Sequence, residues 1–355
     1  MPESLPEAVK PREAVIRMAP YSPPTGERLG KLRMDFNENT VGCSPRIAQF
    51  LRDHISEALM SVYPDYSGVR EALAPHFGVE PPQILLTNGT DEAIQVLINT
   101  YVDDGDEVLL LRPSYAMYRF YADVAGARVR EIDYQPPNFE FPVAQLMDAI
   151  NPRTKAVLIA NPNNPTGTGI SLAAIERLIR RAPHAVVLID EAYYEFSGVT
   201  AIRNLAQSPN LFVSRTFSKV YGMAAMRMGC VFSQAPNIAY LRKAQSPYSV
   251  NSLAAMAAKE AVKDSAYVTN YVTEVLAARE LLCYGLEKLG IPYTPSSANF
   301  VLGHFGARAI EIRDALRGRA ILVRDRSYEI PGGVRITVGT SEQTQRVLDE
   351  LSLIW

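Results

Sequence analysis

The chain has 355 residues, enough to bury one large core or to divide into two domains. Hydrophobic residues make up 47% and charged residues 21%, which excludes a disordered chain. A formal net charge of −2 argues against nucleic acid or an anionic membrane as the main partner.

The first 45 residues are rich in proline and glycine, as in APYSPPTGERLGK. They read as an extended arm that joins the small domain or a dimer contact. The opening MPESLPEAVKPREAV is polar, so no secretory leader is expected, and no apolar run approaches a membrane span. From residue 83 strands and helices alternate. QILLTNG reads as a strand before the helical TDEAIQVLINTYV, and DEVLLL as a strand before the helical SYAMYRFYADVAG. ARVREIDY, KAVLIANP, AVVLIDEAY, LFVSRTF and MRMGCVFS continue the short apolar, β-branched runs. Runs of this kind between helices predict an α/β class chain, with a mostly parallel central sheet covered by helices in a large domain over 46–250. After residue 250 the segments SLAAMAAKEAVKD and YVTNYVTEVLAARELLCYGLEKLG are rich in helix formers, the second long enough to bridge two domains. The series NFVLGHF, RAIEIRDALRGR, ILVRDRS, VRITVGT and a last helix completes a smaller α+β domain over 251–355. Thr340 and Gln343 fit a capping box at the start of that helix.

Cys43, Cys230 and Cys283 are widely spaced and odd in number, so neither a disulfide framework nor a zinc site is expected and the reducing cytoplasm is the expected compartment. His54, His76, His184 and His304 are scattered, with no metal-binding spacing. The chemistry is expected instead at the carboxyl ends of strands, where doubly wound sheets hold their ligands. KAVLIA runs into NPNNPTG, AVVLI into DEAYYEF, and LFVSRTF into SKVYG, which places Asn164, Asp190, Tyr193 and Lys219 along one rim.

Lys219 lies in a mostly neutral, apolar stretch, and a lysine held away from bulk water is a usable nucleophile toward a carbonyl. A pyridoxal-phosphate site needs such an amine and a carboxylate that keeps the ring nitrogen protonated, a part Asp190 can play. Asn164 and Tyr193 can serve the ring's phenolic oxygen. Arg227, Thr216, Ser218 and the helix start at Gly89 and Thr90 can serve its phosphate.

NPNNPTG, DEAYYEF and SRTFSK with an arginine eight residues after the lysine resemble fold-type I pyridoxal-phosphate aminotransferases. More narrowly, APYSPPTG with DFNEN, VYPDYS, LTNGTDEAI, RPSYAMY, SANF and VRDRSYEIPGGVRITVGT resemble the histidinol-phosphate aminotransferase family, in order and approximate spacing, over about residues 18 to 350. The resemblance implies a homodimer that transfers an amino group from L-histidinol phosphate to 2-oxoglutarate. It makes Lys219 the amine bonded to the cofactor and the base at the substrate's Cα. Asp190 would pair with the pyridinium, and Tyr115 would stack on the ring. Asn164 and Tyr193 would hold the phenolic oxygen. Gly89, Thr90, Asp91, Thr216, Ser218 and Arg227 would surround the phosphate, with Tyr63 reaching it from a partner subunit. Arg335 would clamp an α-carboxylate with Asn39 and Asn164, while Tyr21, Tyr248 and Arg324 would face the side chain of the substrate.

Departures concern the substrate. Thr40 replaces a usual proline in NENT, and Ala225 stands where glycine is common. Met223, Met226 and Met228 suggest a softer pocket. An aromatic-amino-acid aminotransferase and a phosphothreonine decarboxylase remain open within the same cofactor class. A nicotinamide dehydrogenase lacks its GxGxxG here, and intact Lys219 and Asp190 count against a protein that only stores the cofactor.

Overall fold

The computed structural model describes residues 9–19 and 28–355. Its strands are β1 (Leu32–Met34), β2 (Ile84–Asn88), β3 (Glu107–Arg112), β4 (Arg128–Asp133), β5 (Thr154–Ala160), β6 (Val186–Asp190), β7 (Leu211–Thr216), β8 (Met228–Phe232), β9 (Tyr293–Thr294), β10 (Phe300–His304), β11 (Ile321–Asp325) and β12 (Gly333–Thr337). Seven form one sheet in the order β2-β8-β7-β6-β5-β3-β4, and five form a second in the order β1-β11-β12-β10-β9. In the larger sheet β3 to β7 run parallel, and β8 alone opposes both its neighbours. This is an α/β fold with a mostly parallel central sheet.

The continuous apolar runs of β5 to β8 follow from burial on both faces. Val187 and Ile189 enter one core, while Val186 and Leu188 enter the other, which packs the helices Gly89–Tyr101, Ala116–Ala125 and Ala235–Ala244. The first core continues without a break into the smaller sheet through Phe300, Val323 and Ile336. Helix starts follow local chemistry, with the side chains of Ser171, Asn251 and Asp264 each accepting a bond from a backbone N–H in the first turn. The capping box of Thr340 and Gln343 is present at the helix Ser341–Ile354.

Two segments tie the sheets together. β1 leaves the arm to pair in parallel with β11 of the smaller sheet. The helix Ser252–Ala261, although it follows residue 250, packs on the helices Pro45–His54 and Val69–Phe77. The 24-residue helix Ser265–Lys288 then runs on to pack against the last helix and β10. Among the described residues no helix is long and apolar enough to cross a membrane.

Candidate active site

The carboxyl ends of β5, β6 and β7 and the strands β11 and β12 of the smaller sheet enclose a cavity of about 440 Å³. Asp190, the last residue of β6, lies beside Ser214 of β7 in register, and both point the same way. Asp190 is buried, and its oxygens accept bonds from Tyr118 Oη at 2.8 Å and Ser214 Oγ at 2.9 Å. Burial pushes its carboxyl above the ordinary aspartate range, and those two donors pull against the shift. Among the described residues no cation pairs with it.

Lys219 follows β7 in a turn that lets its amine enter the same cavity. Its Nζ donates to the Phe36 carbonyl at 3.0 Å and stands 5.7 Å from the centre of the Tyr193 ring. The Tyr193 hydroxyl accepts from Asn37 Nδ2 at 2.9 Å.

β2 runs directly into the helix Gly89–Tyr101, whose first-turn residues Thr90 and Asp91 line the cavity. Gly89 takes φ +72°, and a Cβ there would lie 2.7 Å from Arg227 Nη2, so the guanidinium rests on bare backbone. Arg227 itself holds a left-handed φ of +56°, unusual for a side chain of its size. Its Nη2 pairs with Asp91 Oδ2 at 3.0 Å, and Asp91 Oδ1 accepts from Tyr115 Oη at 2.6 Å. Thr90, Thr216 and Ser218 complete this corner.

Across the cavity, Arg335 of β12 is the register partner of Arg324 of β11. Arg335 is buried, and it donates to Asn164 Oδ1 and to the Asp35 carbonyl, both at 2.5 Å. Among the described residues its Nε has no partner, and burial lowers its pKa to about 10. A buried guanidinium with only neutral acceptors is equipped to take an anion.

Thr90, Asp91, Tyr115, Asn164, Asp190, Tyr193, Thr216, Ser218, Lys219, Arg227, Arg324 and Arg335 therefore share one cavity, and Gly89 underlies it. Asn39 does not line it. Its side chain instead binds the Val220 carbonyl and the N–H groups of Val41 and Gly42, a turn-building role, while Asn37 faces the cavity. Tyr63 and Tyr248 are exposed and stacked on each other at 4.6 Å, outside this chain's own cavity. Tyr21 lies outside the described residues.

Met223, Met226 and Met228 do not line the cavity either; Met223 and Met228 are buried in the core, so they give no softer pocket. Ala225 does line it, and Thr40 bonds Gln343 at 2.6 Å. Residue patterns left out Tyr118, Ser214, Phe36 and Asn37. Tyr118 stands one helical turn after Tyr115, and Ser214 two strand positions before Thr216, so periodicity carried a signal for both.

The sequence profile described as aminotransferase class I and II matches residues 30–351. The chain belongs to the aminotransferase class I and II family. Within it, a protein of Geobacillus sp. strain WCH70 named histidinol-phosphate aminotransferase is 33% identical over 329 residues, 90% of this chain and 89% of that one. A protein of the same name from Symbiobacterium thermophilum is 35% identical over 354 residues, 96% of this chain and 97% of that one. The crystal structure of histidinol-phosphate aminotransferase from Sinorhizobium meliloti, in complex with pyridoxal-5'-phosphate, superposes with a TM-score of 0.86. It covers 99% of this chain and 100% of that one at 21% identity, a likeness of fold.

Proposed function

We propose that this chain is a pyridoxal-phosphate-dependent aminotransferase. Its reaction converts L-histidinol phosphate and 2-oxoglutarate into imidazole-acetol phosphate and L-glutamate, a step of histidine biosynthesis. One observation carries the reading: Asp190, a buried carboxylate with only neutral partners, faces the same cavity as the Lys219 amine.

The residues present fit the cofactor. A pyridinium N–H would give Asp190 the cation it lacks, and the corner of Thr90, Thr216, Ser218 and Arg227 at a helix N-terminus suits a phosphate. Tyr115 would hold the ring face, and Tyr193 with Asn164 the phenolic oxygen. When bound, the cofactor supplies an aldehyde for the amino group and a protonated ring that draws electrons from the substrate's Cα.

The chain's residues do the rest. Lys219 Nζ, placed by the Phe36 carbonyl, would move the proton between the substrate's Cα and the aldehyde-derived carbon on the far side of the amino nitrogen. Asp190 keeps the ring nitrogen protonated, because its own charge would otherwise stay buried and unpaired. Arg335 orients the α-carboxylate of glutamate, each charged hydrogen bond contributing roughly 1.5–3 kcal/mol. Arg324 offers a second positive group on the same wall.

Exposed Met60, Val62, Tyr63 and Tyr248 form an apolar surface suited to a second copy, from which Tyr63 would reach the partner's phosphate corner. The three unpaired cysteines suit a reducing cytoplasm. A second reading, transfer from aromatic amino acids, draws on Phe36 and Tyr328 in the cavity wall.

Purified enzyme should absorb visible light, and each amino donor should bleach that band at a rate that ranks the donors. L-Histidinol phosphate should outrank phenylalanine, and no carbon dioxide should be released from phosphothreonine. Lys219→Ala should reduce turnover by roughly 10⁴-fold. Protein that stays colourless with added pyridoxal phosphate would defeat the reading.

A further inference from the structure

Arg324, Arg326 and Arg335 line one wall of the cavity. Arg324 and Arg335 are cross-strand partners, and Arg326 follows Arg324 by two positions, so the three side chains share a face. Among the described residues only one carboxylate is ion-paired to any of them: Glu329, which bonds Arg326. Arg326 is 8% exposed, and among the described residues its Nε has no partner. The pair closes a short loop in which Glu329 N and Ile330 N both donate to the Arg326 carbonyl, at 2.9 and 2.8 Å.

The two amino donors of the proposed reaction place different anions here. In L-glutamate a carboxylate is bonded directly to Cα. In L-histidinol phosphate that position bears CH₂–O–PO₃, so the phosphorus lies two bonds further out and its group carries nearly twice the charge at neutral pH. Arg335, fixed by Asn164 and the Asp35 carbonyl, suits the nearer, singly charged group. The longer, doubly charged group needs a further guanidinium that can exchange one anion for another, and Arg326 is the one that already holds an anion.

We infer that Arg326 selects phosphoryl over carboxylate donors, with Glu329 as the counter-ion that it releases when a phosphoryl group enters. This rests on the transaminase reading above. With L-glutamate bound, Arg326 stays with Glu329. With a phosphorylated donor, the guanidinium turns to the ligand and Glu329, 27% exposed at its side chain, moves toward water.

The test uses the holoenzyme, with kcat/KM measured for L-histidinol phosphate and for L-glutamate, and with propyl phosphate as an inert competitor. Arg326→Gln should lower kcat/KM for L-histidinol phosphate about 10- to 100-fold, and weaken inhibition by propyl phosphate to a similar degree. The value for L-glutamate should stay within about threefold. Glu329→Gln should act in the opposite direction, raising kcat/KM for L-histidinol phosphate a few-fold, because Arg326 then has no anion to give up. Equal losses with both donors in both variants would mean a loop-building role and overturn the inference, as would an Arg326→Gln enzyme with unchanged preference. In those cases wild-type enzyme that transaminates L-histidinol phosphate would show that the transaminase reading survives. Wild-type enzyme that ignores L-histidinol phosphate would overturn both.

Discussion

Two buried arginines stand in contrast, one beneath the site and one in its wall. Arg215 of β7 points away from the cavity, opposite to Ser214 and Thr216 on the same strand. Its Nε and Nη2 bond Glu191 at 2.8 and 2.7 Å, Thr200 Oγ1 accepts at 3.0 Å, and the Tyr194 ring lies 3.5 Å below the guanidinium. Arg335 is buried as deeply, yet among the described residues it meets only neutral oxygens and its Nε has no partner. The same side chain is thus matched from within the fold in one region and left for a ligand in the other. Burial alone does not mark a functional charge; burial without a counter-charge does.

Removing each arginine tests that contrast most directly. Arg215→Ala leaves Glu191 buried and unpaired, and should cost about 3–5 kcal/mol in denaturant unfolding. Arg335→Ala should cost much less stability, but should lower kcat/KM for L-glutamate by roughly 100-fold, as expected for losing charged hydrogen bonds of about 1.5–3 kcal/mol. The reverse pattern would undo the distinction.

A finer test lies in Glu195, 3.7 Å from Arg215. Burial raises its carboxyl to about 7 from 4.5, against the attraction of Arg215 and with the repulsion of Glu191. A raised carboxyl binds more protons in the folded state, so its contribution is complete below pH 4.5 and is lost as pH rises through about 7. Wild-type stability should therefore fall relative to Glu195→Gln across that window, with a slope no steeper than about 1.4 kcal/mol per pH unit. Parallel curves for the two proteins would show that Glu195 does not titrate there.

Much of this was legible in the residues. The runs VVLID and LFVSRT announce doubly buried strands, and their last residues announce the rim. What stayed hidden has physical reasons. Hydrophobic period does not encode direction, so the reversal of β8 could not be read from MRMGCVF. β1 is three residues long inside a proline-rich arm, and too short to show any period. The partner of Lys219 is a backbone carbonyl, which any residue at position 36 would offer. Asn37 and Asn39 share a parity in DFNEN. A left-handed φ of +55° at Asn37 helps set the path that sends one to the cavity and the other to a turn.

The reversal of β8 carries one more lesson. Thr216 and Gly229 sit opposite each other on adjacent antiparallel strands, so everything from Phe217 to Met228 is a single hairpin excursion. Lys219 and Arg227, eight positions apart, stand on the outgoing and returning legs of that excursion. Shortening or lengthening it by one residue would shift amine and guanidinium relative to each other, while leaving both sheets intact.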